Sequence, residues 1–217
     1  MAKKSLKKGI FITFEGPEGC GKSTHSKLAA ELLRKEGFDV VHTREPGGTG
    51  VGKRIRDILL NFKNITISPL TELLLFEASR AELIREIIKP ALAKKKIVIS
   101  DRFNDATLVY QGYAGGVRLQ EIKRIESVSI GKVKPDLTVL LDIKPEAGLK
   151  KIGIFLRDRM ESKHIAFHKK VRKGYLDLAR RNRRRIKVIR TKDTVDATFK
   201  DVKKEVLNVV RRYKRPG

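Results

Sequence analysis

Five short apolar runs recur along the chain, at Ile10–Phe14, Val40–Thr43, Ile97–Ser100, Leu137–Leu141 and Ile186–Ile189. Each has the length of a strand and is rich in β-branched residues. Between them lie stretches in which apolar residues return every three or four positions: Ser23–Lys35, Lys53–Leu60, Leu70–Ala93, Gln120–Ile130, Phe167–Arg180 and Val195–Tyr213. Continuous apolar strands alternating with amphipathic helices predict an α/β fold, a five-stranded parallel sheet with helices on both faces. Such a sheet binds ligands beyond the carboxyl ends of its strands. The residues just after each strand therefore carry the functional signal.

Composition narrows this picture. At 217 residues the chain fits one domain spanning 1–217. The single cysteine, Cys20, excludes an internal disulfide and a multi-cysteine metal site. No leader-like segment and no apolar run of about 18–20 residues is visible, so a soluble, cytoplasmic protein without membrane contact is expected. The formal charge is +25, and residues 150–217 hold 24 Lys and Arg against 7 Asp and Glu. This basic third includes the helix expected at 195–213. It reads as a solvated surface or as a polyanion-binding face, with nucleic acid a minor electrostatic contact. Arg180–Arg185 is the densest run, and no stacking-aromatic motif accompanies it.

The first strand runs into Gly16-Pro17-Glu18-Gly19-Cys20-Gly21-Lys22-Ser23, followed by Thr24. This matches G-x-x-x-x-G-K-[ST]. Glycines let successive backbone N–H groups turn around phosphate oxygens, and the next helix directs its positive end at the same anion. Lys22 would reach the β- and γ-phosphates of a nucleotide, and the Ser23 hydroxyl would hold Mg²⁺. Cys20 reads as a small residue that fits the loop.

The third strand ends in Asp101-Arg102-Phe103. Asp101 suits a direct or water-mediated Mg²⁺ contact, and Arg102 can clamp a phosphate. Phe76 and Arg80 stand at i and i+4 on a predicted helix, so ring and guanidinium share a face. A base could stack on the ring while Arg80 donates to a base carbonyl, favouring thymine or uracil over cytosine. His25, His42, His164 and His168 lack metal-ligand spacing.

Together these segments resemble the bacterial thymidylate kinase family. The resemblance rests on Phe14-Glu15-Gly16-Pro17-Glu18-Gly19, Thr43-Arg44-Glu45-Pro46-Gly47-Gly48, and Leu74-Leu75-Phe76-Glu77-Ala78-Ser79-Arg80. It continues through Asp101-Arg102-Phe103, Tyr110-Gln111-Gly112, Lys134-Pro135-Asp136-Leu137, Asp158-Arg159-Met160-Glu161 and Phe167-His168-Lys169-Lys170-Val171-Arg172 with Tyr175. It implies a P-loop NTPase fold with a short lid near 151–163, a homodimer, and phosphoryl transfer from ATP to dTMP. Phe76 would stack on thymine, Arg80 would meet its O4, and Thr107 and Gln111 its other polar edge. Tyr110 would crowd a ribose 2′-OH, and Glu18 would sit near the acceptor sugar and phosphate. Arg102, with Arg44 or Arg56, would hold the acceptor phosphate. Glu45-Pro46 would form the pocket wall, through a cis peptide bond. Lid residues Arg157 and Arg159 are the candidates for the transition-state cation. The chain departs from the family at Ala106, where serine is common, and at Gly115-Gly116, where an arginine is usual.

A phosphate-monoester acceptor is already a nucleophile, so positioning and charge neutralisation suffice. Two alternatives remain at the level of sequence. One is a small P-loop kinase for another nucleotide or a deoxynucleoside; the other is a nucleic-acid-binding protein on a kinase scaffold. The loop Thr191-Lys192-Asp193 is the candidate adenine contact.

Overall fold

The computed structural model describes residues 4–61, 66–153 and 158–214. Its strands are β1 (Ile10–Glu15), β2 (Val40–Arg44), β3 (Ile97–Asp101), β4 (Leu137–Asp142) and β5 (Ile186–Arg190). They form one all-parallel sheet in the order β2-β3-β1-β4-β5. Every expected strand is present and runs one residue further, onto Glu15, Arg44, Asp101, Asp142 or Arg190. An apolar run stops at the first charge, whereas ladder hydrogen bonds continue until the chain leaves the sheet. The extra residues place charge along the carboxyl edge.

Side-chain alternation divides the core. Ile10, Ile12 and Phe14 pack with Ala29, Ala30 and Leu33 of α1 (Lys22–Lys35) and with Val202, Val206 and Val210 of α9 (Val195–Tyr213). Phe11 points the other way, to Leu83 and Ile88. On that second face Leu140 and Ile186 meet Val171, Tyr175 and Ala179 of α8 (Ile165–Arg181). Fully burying each such aliphatic side chain is worth roughly 1.5–3 kcal/mol. With period two, Thr13 and Glu15 share the Phe11 face.

The helix expected at Leu70–Ala93 is found in three parts: α3 (Pro69–Leu83), a π-helical turn over Ile84–Ile88, and α4 (Lys89–Ala93). Pro90 accounts for the interruption. It offers no N–H, and its ring crowds the carbonyl four residues back, which the wider turn accommodates. Thr49 caps α2 (Gly50–Leu60), accepting from Gly52 N at 2.9 Å. The helix expected at Gln120–Ile130 is α6 (Leu119–Ser129).

Two helical segments were not expected. One is α5 (Asn104–Thr107), which continues as a π-helical turn over Leu108–Ala114; the other is α7 (Pro145–Ile152). Asn, Asp, Thr and Gly weaken the first as a helix signal, and the second is short and contains Gly148. Among the described residues, no helix is long and apolar enough to cross a membrane. From β1 the chain crosses to β2, and from β3 it crosses back to β4. The crevice between β1 and β3 is thus the switch point at which doubly wound sheets bind ligands.

Candidate functional site

Between Glu15 and Lys22 the backbone turns through Gly16, Gly19 and Gly21, with φ of 145°, 68° and 87°. A Cβ on Gly19 would lie 2.0 Å from the carbonyl oxygen of Gly148 in α7, and a Cβ on Gly148 would lie 2.1 Å from that of Glu18. The two backbones touch directly, which sets the loop against α7. Buried Lys22 donates to the carbonyls of Gly16 at 3.1 Å and Pro17 at 2.8 Å. Ser23 Oγ donates to Asp101 Oδ2 at 2.5 Å. Asp101 Oδ1 is buried and accepts no hydrogen bond among the described residues. Burial pushes the Cys20 thiol up and outweighs neighbouring Lys22, whose Nζ donates to its sulfur at 3.6 Å.

Arg102, after β3, sits in the left-handed region with φ of 71°. Its Nη2 donates to both oxygens of Glu18, at 2.7 and 2.9 Å, and Tyr110 Oη donates to Glu18 Oε1 at 2.6 Å. The guanidinium lies 5.0 Å from the Tyr110 ring centroid. Burial disfavours the Glu18 carboxylate, but Arg102 and Lys22 prevail and hold its pKa at about 2. Glu15 lies beneath this group. It accepts from Phe103 N at 2.7 Å and from Tyr175 Oη at 2.7 Å. Burial, assisted by Asp105, pushes its pKa up to about 8. Glu15 thereby fastens the strained turn that presents Arg102. It was assigned no role from sequence, although a carboxylate closing a buried apolar strand is a readable signal.

On the far wall Phe76 and Arg80 share one face of α3, as expected. Arg80 is 1% exposed. It pairs with Glu45 and Glu77, and its Nη2 donates to Thr107 Oγ1 at 2.7 Å. Its Nε has no partner among the described residues. The Glu45–Pro46 bond is cis, as the resemblance implies. Arg56 Nη1 donates to the Pro46 carbonyl at 3.0 Å. Gln111 Nε2 donates to Glu72 Oε1 at 2.8 Å, and Glu72 also binds Arg159. Glu72 was not singled out from sequence.

One cavity of about 400 Å³ joins the two walls. On the phosphate side its lining includes Glu18, Gly19, Gly21, Lys22, Ser23 and Thr24. Arg44, Arg56, Asp101 and Arg102 stand across it, and Glu45, Pro46, Phe76, Arg80, Thr107, Tyr110 and Gln111 form the far side. Leu60, Phe103, Ala106, Lys151, Ile152, Asp158, Met160 and Glu161 complete it. Gly16, Pro17 and Cys20 stand behind the lining. Arg159 is not brought to the cavity: its Nε donates to the Leu59 carbonyl at 2.7 Å, and Glu72 holds its Nη2. Arg157 lies outside the described residues. Thr191 N donates to the Asp142 carbonyl at 3.0 Å, and the Thr191–Asp193 loop does not line this cavity.

The chain is similar to known proteins in sequence and in fold. The profile described as thymidylate kinase matches residues 14–202. A thymidylate kinase of Thermoanaerobacter sp. (strain X514) is 45% identical over 206 residues, covering 95% of this chain and 99% of the relative. One from Caldanaerobacter subterraneus subsp. tengcongensis is 49% identical over 173 residues, covering 80% and 83%. The crystal structure of thymidylate kinase from Ehrlichia chaffeensis is similar with a TM-score of 0.75 at 37% identity, covering 92% of this chain and 99% of that one. Shared sequence along most of the chain and a shared fold lead to one conclusion: the chain belongs to the thymidylate kinase family.

Proposed function

We propose that this protein transfers the γ-phosphate of ATP to dTMP, giving dTDP and ADP and so supplying dTTP synthesis. The observation that carries the reading is the continuous cavity between the glycine loop and the Phe76–Arg80 wall. ATP phosphates would lie in the backbone cup of 16–24, and Lys22 would exchange its two carbonyl acceptors for phosphate oxygens. Thymine would stack on Phe76, with Arg80, Thr107 and Gln111 along its polar edges. Arg102, with Arg44 or Arg56, would hold the dTMP phosphate, whose oxygen attacks in line. Tyr110, fixed by Glu18, would close the space that a 2′-OH needs.

Ser23 Oγ and Asp101 offer hard oxygen donors, and the partnerless Oδ1 suits a Mg²⁺ ion. Bound there, Mg²⁺ would supply charge neutralisation at the ATP phosphates. The transition-state cation would come from the 151–163 lid, as Arg157 or Arg159. Arg159 would serve after exchanging Glu72 for phosphate.

A homodimer belongs to the same reading. Exposed Val51 and Ile58 on α2, Leu70 and Leu74 on α3, and Val128 on α6 occupy neighbouring helices and suit a self-association face. The substrates imply a cytoplasmic setting. A coupled assay of ADP release with ATP and dTMP tests the activity: turnover is expected, and Lys22→Ala should abolish most of it. Absence of dTMP-dependent ADP release would refute the reading.

A further inference from the structure

A second concavity, of about 820 Å³, lies along edge strand β5 beside α8, outside the cavity described above. Its wall is one face of α8: Lys169, Arg172, Lys173, Leu176, Asp177 and Arg180 stand at i, i+3, i+4, i+7, i+8 and i+11. That spacing stacks the side chains in a stripe roughly 16 Å long. Lys144 and Arg183 extend the cationic rim. The floor is apolar, from Pro145, Ala179, Ile186 and Val188, and Val188 remains 46% exposed although it lies in a strand.

The rim charges are not all neutralised. Glu146 pairs with Lys169 at 3.2 Å, Asp177 with Arg180, and Asp142 with Arg172 at 2.7 Å. Lys173 and Arg183 have no ion-pair partner within 4.0 Å among the described residues, and Lys144 meets the Glu146 carboxylate only at longer range. The Arg180–Arg185 run is also not one uniform surface. Arg185 turns inward and binds both oxygens of Asp105, at 2.6 and 2.9 Å, while Arg180 and Arg183 face the groove.

We propose that this groove binds a single strand of nucleic acid. Backbone phosphates would lie on the Lys144, Lys173 and Arg183 rim, with sugar and base faces against Leu176 of the wall and Val188 of the floor. The pairing of rim and floor selects this occupant. Inorganic polyphosphate has no apolar surface to cover the floor, and a duplex hides its bases behind a convex backbone. An acidic peptide paired along β5 would match the charge of the Lys144, Lys173 and Arg183 rim, and competition by polyglutamate separates it from nucleic acid. No aromatic residue lines the groove, so binding does not depend on base stacking and tolerates any sequence. Affinity is then set by phosphate contacts and falls steeply with salt.

The test is fluorescence anisotropy of a labelled oligodeoxycytidylate of about 20 nucleotides, long enough to exceed the groove. Cytosine keeps the probe distinct from the thymine wall. The slope of log affinity against log salt should fall by about 0.7 for each phosphate contact removed. Lys173→Ala/Arg183→Ala should therefore lower the slope by about 1.4 and weaken binding about tenfold or more. Lys203→Ala/Lys204→Ala, on α9, should leave both unchanged. Kinase activity should persist in both variants and serves as the check on folding. Equal losses in the two double variants would mean general surface charge and overturn the proposal. So would unchanged binding in the groove variant, or equal displacement of the probe by polyphosphate, duplex or polyglutamate.

Discussion

Arg102 spans both oxygens of Glu18, its Nη2 2.7 Å from Oε1 and 2.9 Å from Oε2. The pair ties the end of β3 to the phosphate loop. Because burial is outweighed by Arg102 and Lys22, the Glu18 pKa falls from 4.5 to about 2. A depressed carboxylate contributes stability that is complete above its unfolded pKa and disappears as pH drops through the folded one. Glu18→Gln should thus be less stable than the parent at neutral pH. The gap in urea midpoint should close between pH 4.5 and about 2. A constant gap across that window would show that the carboxylate charge contributes nothing.

Glu15 has the opposite sign. Burial, then Asp105, raises its pKa from 4.5 to about 8. The folded state therefore holds a proton that the unfolded state has released, and stability attached to Glu15 declines as pH rises from 4.5 to about 8. In Glu15→Gln the amide oxygen can accept from Phe103 N while its nitrogen donates to Tyr175 Oη. Relative to the parent, the variant should gain stability steadily across this window, as read from urea midpoints. A pH-independent difference would place the Glu15 pKa near its ordinary value.

Arg80 neutralises two buried carboxylates, Glu45 and Glu77. Removing one partner of a buried ion pair typically costs about 3–5 kcal/mol. Arg80→Ala should lose stability on that scale in chemical denaturation. Arg80→Lys keeps the charge but not the fork of donors, so it should fold better than Arg80→Ala and still show a raised KM for dTMP with a lesser change for ATP. Equal KM changes for both substrates would argue against a role at the base.

Gly148 lies in α7 and touches the backbone of the phosphate loop. An alanine Cβ would fall 2.1 Å from the Glu18 carbonyl oxygen, so loop or helix must move. A displacement near 1 Å can cost about 100-fold in rate. Gly148→Ala should keep its circular-dichroism spectrum and lose activity on that scale. Wild-type kinetics would show that the loop adjusts freely.

The sheet was legible because its strands are buried on both faces and read as continuous apolar runs. The Phe76–Arg80 pair was legible because helical spacing fixes which side chains share a face. Tyr110 and Gln111 were reached through resemblance, since Gly112 weakens their segment as a helix signal and the segment has no clear apolar period. Glu72 escaped notice because its partners are Gln111 and Arg159, and Arg159 lies 87 positions away in the chain. Such long-range pairings leave no local pattern. The charge run at 180–185 suggested a solvated face, but Arg185 is half-buried and serves as the counter-ion of buried Asp105.

The assignment of dTMP as acceptor is tested most directly by initial rates with ATP and a panel of nucleoside monophosphates at equal concentration. The expected result is fastest turnover with dTMP, a slower rate with dUMP, and little with dCMP or ribose forms. Far faster phosphorylation of any other acceptor would contradict a cavity built around Phe76 and Arg80 for thymine.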